Sequence, residues 1–172
     1  LDRTRRTTTS VLGADTIYVD TDYDEFGQIS QRSLPYYQGD TRHFTTFDYD
    51  DLNRLTETCF ADGKYRSVSF SGATITTEDE NGNEVEETFD AYGRTIERKQ
   101  WITASQSAIT TMEYDLLGNM TDLIDDAGNQ WHWDVNSMGW VLNETDPDRG
   151  YWVYTYDKVG RMKTRRDARG KT

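Results

Sequence analysis

Carboxylates recur in close pairs along this chain, at Asp22 and Asp24, Asp50 and Asp51, Glu86 and Glu87, and Asp125 and Asp126. Two facing carboxyls whose pKa values are driven apart can hydrolyse a glycosidic bond, one as acid and the other as base or nucleophile. Here nearly all of these acids stand at turn-forming positions, where accepting backbone N–H groups is ordinary carboxylate work. No catalytic residue is expected. Cys59, the single cysteine, would need a buried His43 or His132 and an orienting third group to act as a nucleophile. It reads instead as a small apolar strand residue, and alone it rules out an internal disulfide framework or a multi-cysteine metal site. Asp20-Thr21-Asp22-Tyr23-Asp24 has the alternating acids of a calcium loop, yet Glu25 stands at the sixth position and Gln31 at the twelfth, where Gly and Glu belong. Asp79-Glu80-Asn81-Gly82-Asn83 is incomplete in a similar way. Plain turns are expected at both, with no cofactor. Trp131, Trp133, Trp152 and Tyr154 offer a last chemistry, the stacking of aromatic faces on sugar rings. The competing reading is that they pack on one another as a ladder.

Composition describes what must position these groups. Only 34% of the 172 residues are apolar, 29% are charged, the net charge is -12 and the mean hydropathy is -0.89. Chains this polar are usually disordered. An aromatic content of 13% argues for order instead, because aromatic residues suit a pleated, half-buried surface. An ordered β protein with a thin core is expected. No apolar run approaches the ~20 residues of a membrane span, and the negative charge opposes nucleic acid as the main partner. Basic residues gather near the two ends, at Arg3, Arg5 and Arg6 and again from Lys158 to Lys171. They serve as solvated strand faces or as contacts for an acidic neighbour.

The 13 glycines form a ladder. From Gly118 they continue at Gly128, Gly139, Gly150, Gly160 and Gly170; upstream lie Gly63, Gly72, Gly82 and Gly93, with Asn53 in a vacant place, then Gly13, Gly27 and Gly39 at longer steps. Between Gly93 and Gly118 the segment Ala104-Ser105-Gln106-Ser107 supplies the turn. Turn signals at this spacing predict an antiparallel meander. An Asp or Asn three residues before a Gly matches a type I turn, in which Asp accepts from N–H groups ahead and Gly takes positive φ. Tyr23-Asp24 with Gly27, Tyr49-Asp50, Asp90 with Gly93 and Arg94, Tyr114-Asp115 with Gly118, and Tyr156-Asp157 with Gly160 and Arg161 carry the pattern. Asp115 and Asp157 are expected to cap their own loops. Asp79, Asp125, Asp146 and Asp167 begin simpler turns between them. Period-2 alternation puts Trp131 and Trp133 on one face, with Trp152, Tyr154 and Tyr156 equivalent one repeat later.

Tyr-Asp-x-x-Gly-Arg/Asn-hydrophobic, followed ten residues on by Thr-Asp-x-x-Gly, resembles the YD repeat of the Rhs family. That family includes bacterial Rhs polymorphic toxins, shell subunits of Tc-type toxin complexes, and teneurins. The resemblance covers essentially the whole chain and makes 1–172 a single stretch of repeats, clearest over 112–171. Leu34-Pro35-Tyr36-Tyr37-Gln38-Gly39-Asp40-Thr41 resembles a stretch near the Tc-like branch. Departures are Asn53 for Gly, Asn136 for Asp, and the acid missing at Phe70-Ser71-Gly72. The self-cleaving core segment of the family has no match, and Asp146-Pro147 falls in phase as an ordinary turn. The resemblance implies a curved β-strip of a larger spiral β-shell that encloses a C-terminal toxin polypeptide in a secreted or cell-surface protein. Partners would then be further repeats of the same longer polypeptide and the enclosed toxin; the alternative is an adhesive module for carbohydrate or protein. The chain is accordingly expected to be an excerpt that associates through open strand edges when expressed alone.

Overall fold

The computed structural model describes residues 3–9, 16–103 and 105–171, with the backbone only at residues 3 and 4. Ser10, Gly13 and Ala104 of the expected turns and strand ends lie outside the described residues. Among the described residues all regular structure is β, in an antiparallel meander of sixteen strands. The chain divides into two compact units, Leu1–Ser71 with Ile75–Glu84, and Gly72–Thr74 with Val85–Thr172.

The first unit holds β1 (Arg3–Thr9), β2 (Ile17–Tyr23), β3 (Ile29–Ser33), β4 (Tyr36–Tyr37), β5 (Phe44–Tyr49), β6 (Leu55–Cys59), β7 (Tyr65–Ser71) and most of β8 (Thr74–Glu78). The second holds most of β9 (Glu84–Phe89), then β10 (Thr95–Thr103), β11 (Gln106–Tyr114), β12 (Met120–Ile124), β13 (Gln130–Val135), β14 (Val141–Asp146), β15 (Gly150–Tyr156) and β16 (Met162–Asp167). Neighbours in sequence are neighbours in the sheet, with one exception. β4 pairs back onto β2, through Ile17 with Tyr37 and Tyr18 with Tyr36, while β5 takes the place beside β3. Pro35 explains the break, since it offers no N–H to a ladder. A second departure from expectation lies in the β10–β11 hairpin, where Gln106 and Ser107 pair with Thr103 and Trp101 as strand residues.

The expected thin core is absent altogether: among the described residues no hydrophobic side chain is buried. Apart from Thr58, the aromatic and β-branched residues of the strands reach only half burial. The buried side chains are Asp20, Ser33, Thr58, Glu144 and Asp167. Asp20 is 1% exposed. Its Oδ1 accepts from Arg6 Nε at 2.6 Å, and its Oδ2 accepts from Arg6 Nη2 at 3.0 Å, Arg42 Nη1 at 3.1 Å and the Tyr36 hydroxyl at 2.7 Å. Its backbone N–H donates to Ser33 Oγ at 2.9 Å. The detour through β4 delivers Tyr36 to this cluster, stacks it beside Tyr18 with ring centroids 5.7 Å apart, and ties β1 to β2. Arg6, one of the clustered N-terminal basic residues, thus finds its acidic neighbour within the chain.

The Arg6 hydrogen bonds, with those of Tyr36 and Arg42, hold the Asp20 carboxyl well below the usual carboxylate range against the opposing effect of burial. Because the folded pKa lies below the unfolded value, this contribution is complete above about pH 4 and is lost on further acidification. Asp20→Ala should cost about 2–3 kcal/mol at neutral pH, the worth of charge-assisted bonds to arginines that can still reach water. Urea titrations of both proteins should show the gap closing as the pH falls below about 4; a gap of constant size would remove the ion pair as its source.

Candidate functional site

The repeated feature that could carry a function is the turn at which each Tyr-Asp strand ends. In the second unit, Asp115 N–H donates to Asn119 O at 2.9 Å and Gly118 N–H to Asp115 O at 3.2 Å. This is a three-residue hairpin loop, a type I turn closed by a glycine of positive φ. Asp115 Oδ1 accepts from the backbone N–H groups of Leu117 at 2.8 Å and Asn119 at 2.9 Å. Asp157 does the same for Val159 and Arg161, at 3.0 and 2.9 Å. Both expected caps are present. Asp24, Asp50 and Asp90 repeat them. Asn136, the departure from Asp, accepts from Met138 N and Trp140 N through Oδ1 at 2.9 and 3.0 Å. Asn53, the departure from Gly, has φ 63° and takes the left-handed place unaided.

The Arg or Asn after the glycine has a job that its position alone did not disclose. It turns back and donates to the other carboxylate oxygen: Arg94 Nε to Asp90 Oδ2 at 2.7 Å, Arg161 Nε to Asp157 Oδ2 at 2.6 Å, and Asn119 Nδ2 to Asp115 Oδ2 at 2.8 Å. Every oxygen of the cap is thereby used. The Asp115 carboxyl is held low by the Asn119 side chain first, and that of Asp157 by the Arg161 backbone N–H first.

A β-bulge follows each of these turns. The register shifts by one residue at Ser30, Thr56, Ile96, Thr121, Leu142 and Lys163. Beside a bulge the ladder is interrupted, and the carbonyl there is taken up by the motif tyrosine of a later turn. Tyr49 donates to Ile29 O at 3.1 Å, Tyr114 to Thr95 O at 2.9 Å, and Tyr156 to Val141 O at 2.8 Å. At three turns the residue after the left-handed position also packs on the aromatic ring of a neighbouring strand. Arg94 lies 4.7 Å from the Tyr114 ring and donates to Asp115 O at 3.1 Å; Arg54 lies 3.7 Å from Phe70; Trp140 meets Tyr156 at 5.4 Å. Tyr, Asp, Gly and Arg or Asn are therefore one device, capping its own turn and stitching it to the adjoining one.

The remaining candidates are scattered among other tasks. Trp133 and Trp152 are not neighbours, because Glu144 of β14 stands between them in register, and Trp131 pairs with Leu123. The expected aromatic ladder does not form; the ring pairs among the described residues are Tyr18–Tyr36 and Trp140–Tyr156. Glu144 Oε1 accepts from the Tyr154 hydroxyl at 2.8 Å and Arg149 Nη2 at 2.9 Å, while Trp152 Nε1 donates to Arg149 O at 3.2 Å. Burial, and then the bond to Glu144, push the Tyr154 hydroxyl up to about 12. The polar tips of Trp152 and Tyr154 are thus engaged within the protein. Asp20, Asp22 and Asp24 likewise do separate work, in the arginine cluster, with Gln31 Nε2 at 2.6 Å, and as a turn cap. Asp79 is a turn cap for Asn81 and Asn83. Cys59 is a half-buried strand residue paired with Thr46 and Tyr65. His132 sits with Nδ1 2.8 Å from Asp122 Oδ1 and Nε2 3.5 Å from Asp134 Oδ1. Asp146 caps Asp148 and Arg149, and Gly150 is already a strand residue opposite it.

Three outcomes are expected from this geometry. Tyr156→Phe should cost about 1 kcal/mol through the lost bond to Val141. Gly160→Ala should cost about 2–3 kcal/mol, because φ is +87° and the new Cβ would lie 2.8 Å from Trp140 Cζ2. Gly93→Ala, with φ +78° and nothing within 4 Å, should cost about 1–2 kcal/mol. Thermal and urea melts check all three, and equal losses at Gly93 and Gly160 would show that the Trp140 contact is irrelevant. The bond to Asp122 raises the pKa of His132, so its contribution is complete below about pH 6.5 and fades as pH rises through the folded value. His132→Gln should therefore destabilise more at pH 5 than at pH 8.

Residues 136–172 match the family described as RHS Repeat. No curated protein matches the chain in sequence. Its fold is similar to the crystal structure of TcdB2-TccC3, with TM-score 0.68 and 20% identity, over 98% of this chain and 11% of that one. TcdB2-TccC3 without its hypervariable C-terminal region is similar at TM-score 0.67 and 21% identity, over 98% and 10%. The Photorhabdus luminescens Tc holotoxin pore is similar at TM-score 0.66 and 21% identity, over 91% and 10%. The chain thus spans about a tenth of the length of these structures. Residues 136–172 thus match the RHS repeat family, and the chain shares the fold of the TcdB2-TccC3 structures.

Proposed function

We propose that this chain is a wall segment of an Rhs-repeat β-shell, and that the shell encloses the C-terminal toxin polypeptide of a secreted or delivered bacterial protein. The observation that carries the reading is a sheet with no buried hydrophobic side chain among the described residues, whose strands are stitched laterally by Tyr49, Tyr114 and Tyr156. Stability invested within the sheet, with both faces left uncovered, suits a wall that separates two compartments. It does not suit a domain organised around a catalytic cleft, and the role asks for no catalytic residue and no cofactor. The similar structure named as lacking a hypervariable C-terminal region supports a variable passenger beside a constant wall. Neighbouring repeats of the same polypeptide and the passenger are the partners of this role, and the exterior of the cell is its place of action.

The test uses the longer polypeptide that contains this chain. Its C-terminal segment should survive protease at concentrations that digest the same segment expressed separately. Digestion of both at equal rates would overturn enclosure.

A further inference from the structure

Arg6 meets its acid in Asp20, but the basic run from Lys158 to Lys171 is only partly matched. Its sole acid, Asp167, is buried and bound to Arg169 of its own turn at 2.7 Å. Arg161 is paired with Asp157. The bases of β16 itself, Lys163, Arg165 and Arg166, are exposed, and among the described residues no ion pair reaches them. Unmatched cations gathered on one strand are out of keeping with a chain of net charge -12.

Adjacent bases occur in β1, β10 and β16, and the first two show how the sheet accommodates them. Arg98 and Lys99 of β10 stand in register with Glu87 and Glu86 of β9. Arg5 and Arg6 of β1 stand opposite Thr21 and Asp20 of β2, and Arg6 is bound to Asp20. Opposite charges placed across a ladder stabilise a strand pair, and like charges oppose it. In β16, Arg165 and Arg166 stand opposite Tyr154 and Val153 of β15, neither of which is an acid. Trp152 of β15 takes Arg165 against its ring at 5.6 Å without neutralising it. The other side of β16 pairs with no described strand, so alternate residues turn their N–H and C=O groups outward beside this charge.

We infer that the open edge of β16 takes an acidic extended strand, with carboxylates opposite Arg165 and Arg166 as Glu87 and Glu86 stand opposite Arg98 and Lys99. The proposal rests on the wall role for the source of that strand, which is the adjoining repeat of the same polypeptide. A second copy does not fit the edge. The outermost strands of the order are β1 and β16, which carry bases and no acid but the committed Asp167.

Fluorescence anisotropy of labelled peptides added to residues 1–172 tests the edge. The first peptide is Glu-Val-Glu-Glu-Thr-Phe, the sequence of β9. The second has Lys for each Glu. The third keeps the acids but has Pro for Val and Thr, which removes ladder donors. The first should bind at least about tenfold more tightly than either of the others. Its preference over the second should reverse in the double variant Arg165→Glu, Arg166→Glu, with far-ultraviolet dichroism unchanged. The milder pair Arg165→Gln, Arg166→Gln should abolish the preference without reversing it. Equal binding of the first and third peptides overturns strand pairing and leaves only a charged surface. No binding of the first at millimolar concentration, or a preference that both variants retain, overturns the proposal outright. None of these results depends on whether the passenger resists protease, so failure here and failure of the wall role are told apart.

Discussion

One carboxylate oxygen accepting two backbone N–H groups is the interaction on which the rest of this structure depends. The chain reverses direction about every ten residues, and each reversal removes conformational freedom that no buried apolar side chain among the described residues offsets. Asp115 Oδ1 and its counterparts hold the loop by binding the N–H groups two and four residues ahead. With the loop held, the strand returns in one register, the bulge falls at one place, and the tyrosine of a neighbouring strand finds the carbonyl beside it. Asn136 shows that the acceptor matters more than the charge. Where Asp is used, the charge recruits a donor from the residue after the glycine, which then reaches the adjoining turn.

Polar clusters occupy the places where a globular protein would put leucine and valine. Asp20 binds two arginines, a tyrosine and, through its own N–H, a serine; Glu144 binds Tyr154 and Arg149 across two strands. Removing a carboxylate from water is costly unless its lone pairs are filled; donors from β1, β4 and the loop before β5 fill those of Asp20, and Tyr154 of β15 with Arg149 of the preceding turn serves Glu144 Oε1. The consequence is directional: such bonds tolerate little displacement, whereas apolar contacts tolerate sliding. In a repeat whose strands look alike, that directionality guards against slippage in register.

Much of this was legible in the sequence because turns obey local rules. An Asp three residues before Gly needs no tertiary partner to be understood, and even Asn53 could be placed from the spacing. The bulges left no local trace: Ser30, Thr56, Ile96, Thr121, Leu142 and Lys163 share no side-chain type, since the extra residue is demanded by the turn and not by its own chemistry. The return of β4 onto β2 was hidden for the opposite reason, as it depends on Arg6, Asp20, Ser33 and Tyr36 meeting over long range. The aromatic ladder failed because alternation within a strand says nothing of what the intervening strand carries, and β14 carries Glu144.

The absence of buried hydrophobic side chains among the described residues also shapes how stability responds to temperature. The heat capacity of unfolding, ordinarily ~12–15 cal/mol/K per residue, comes from newly exposed apolar surface and is reduced by exposed polar surface. In this sheet the apolar side chains are already partly hydrated and the fully buried ones are polar, which lowers the first contribution and enlarges the second. The stability curve is correspondingly shallow. Cooling, which weakens a hydrophobic core, finds little here to weaken, and a sheet of such repeats keeps nearly the same margin across a broad range of ambient temperature.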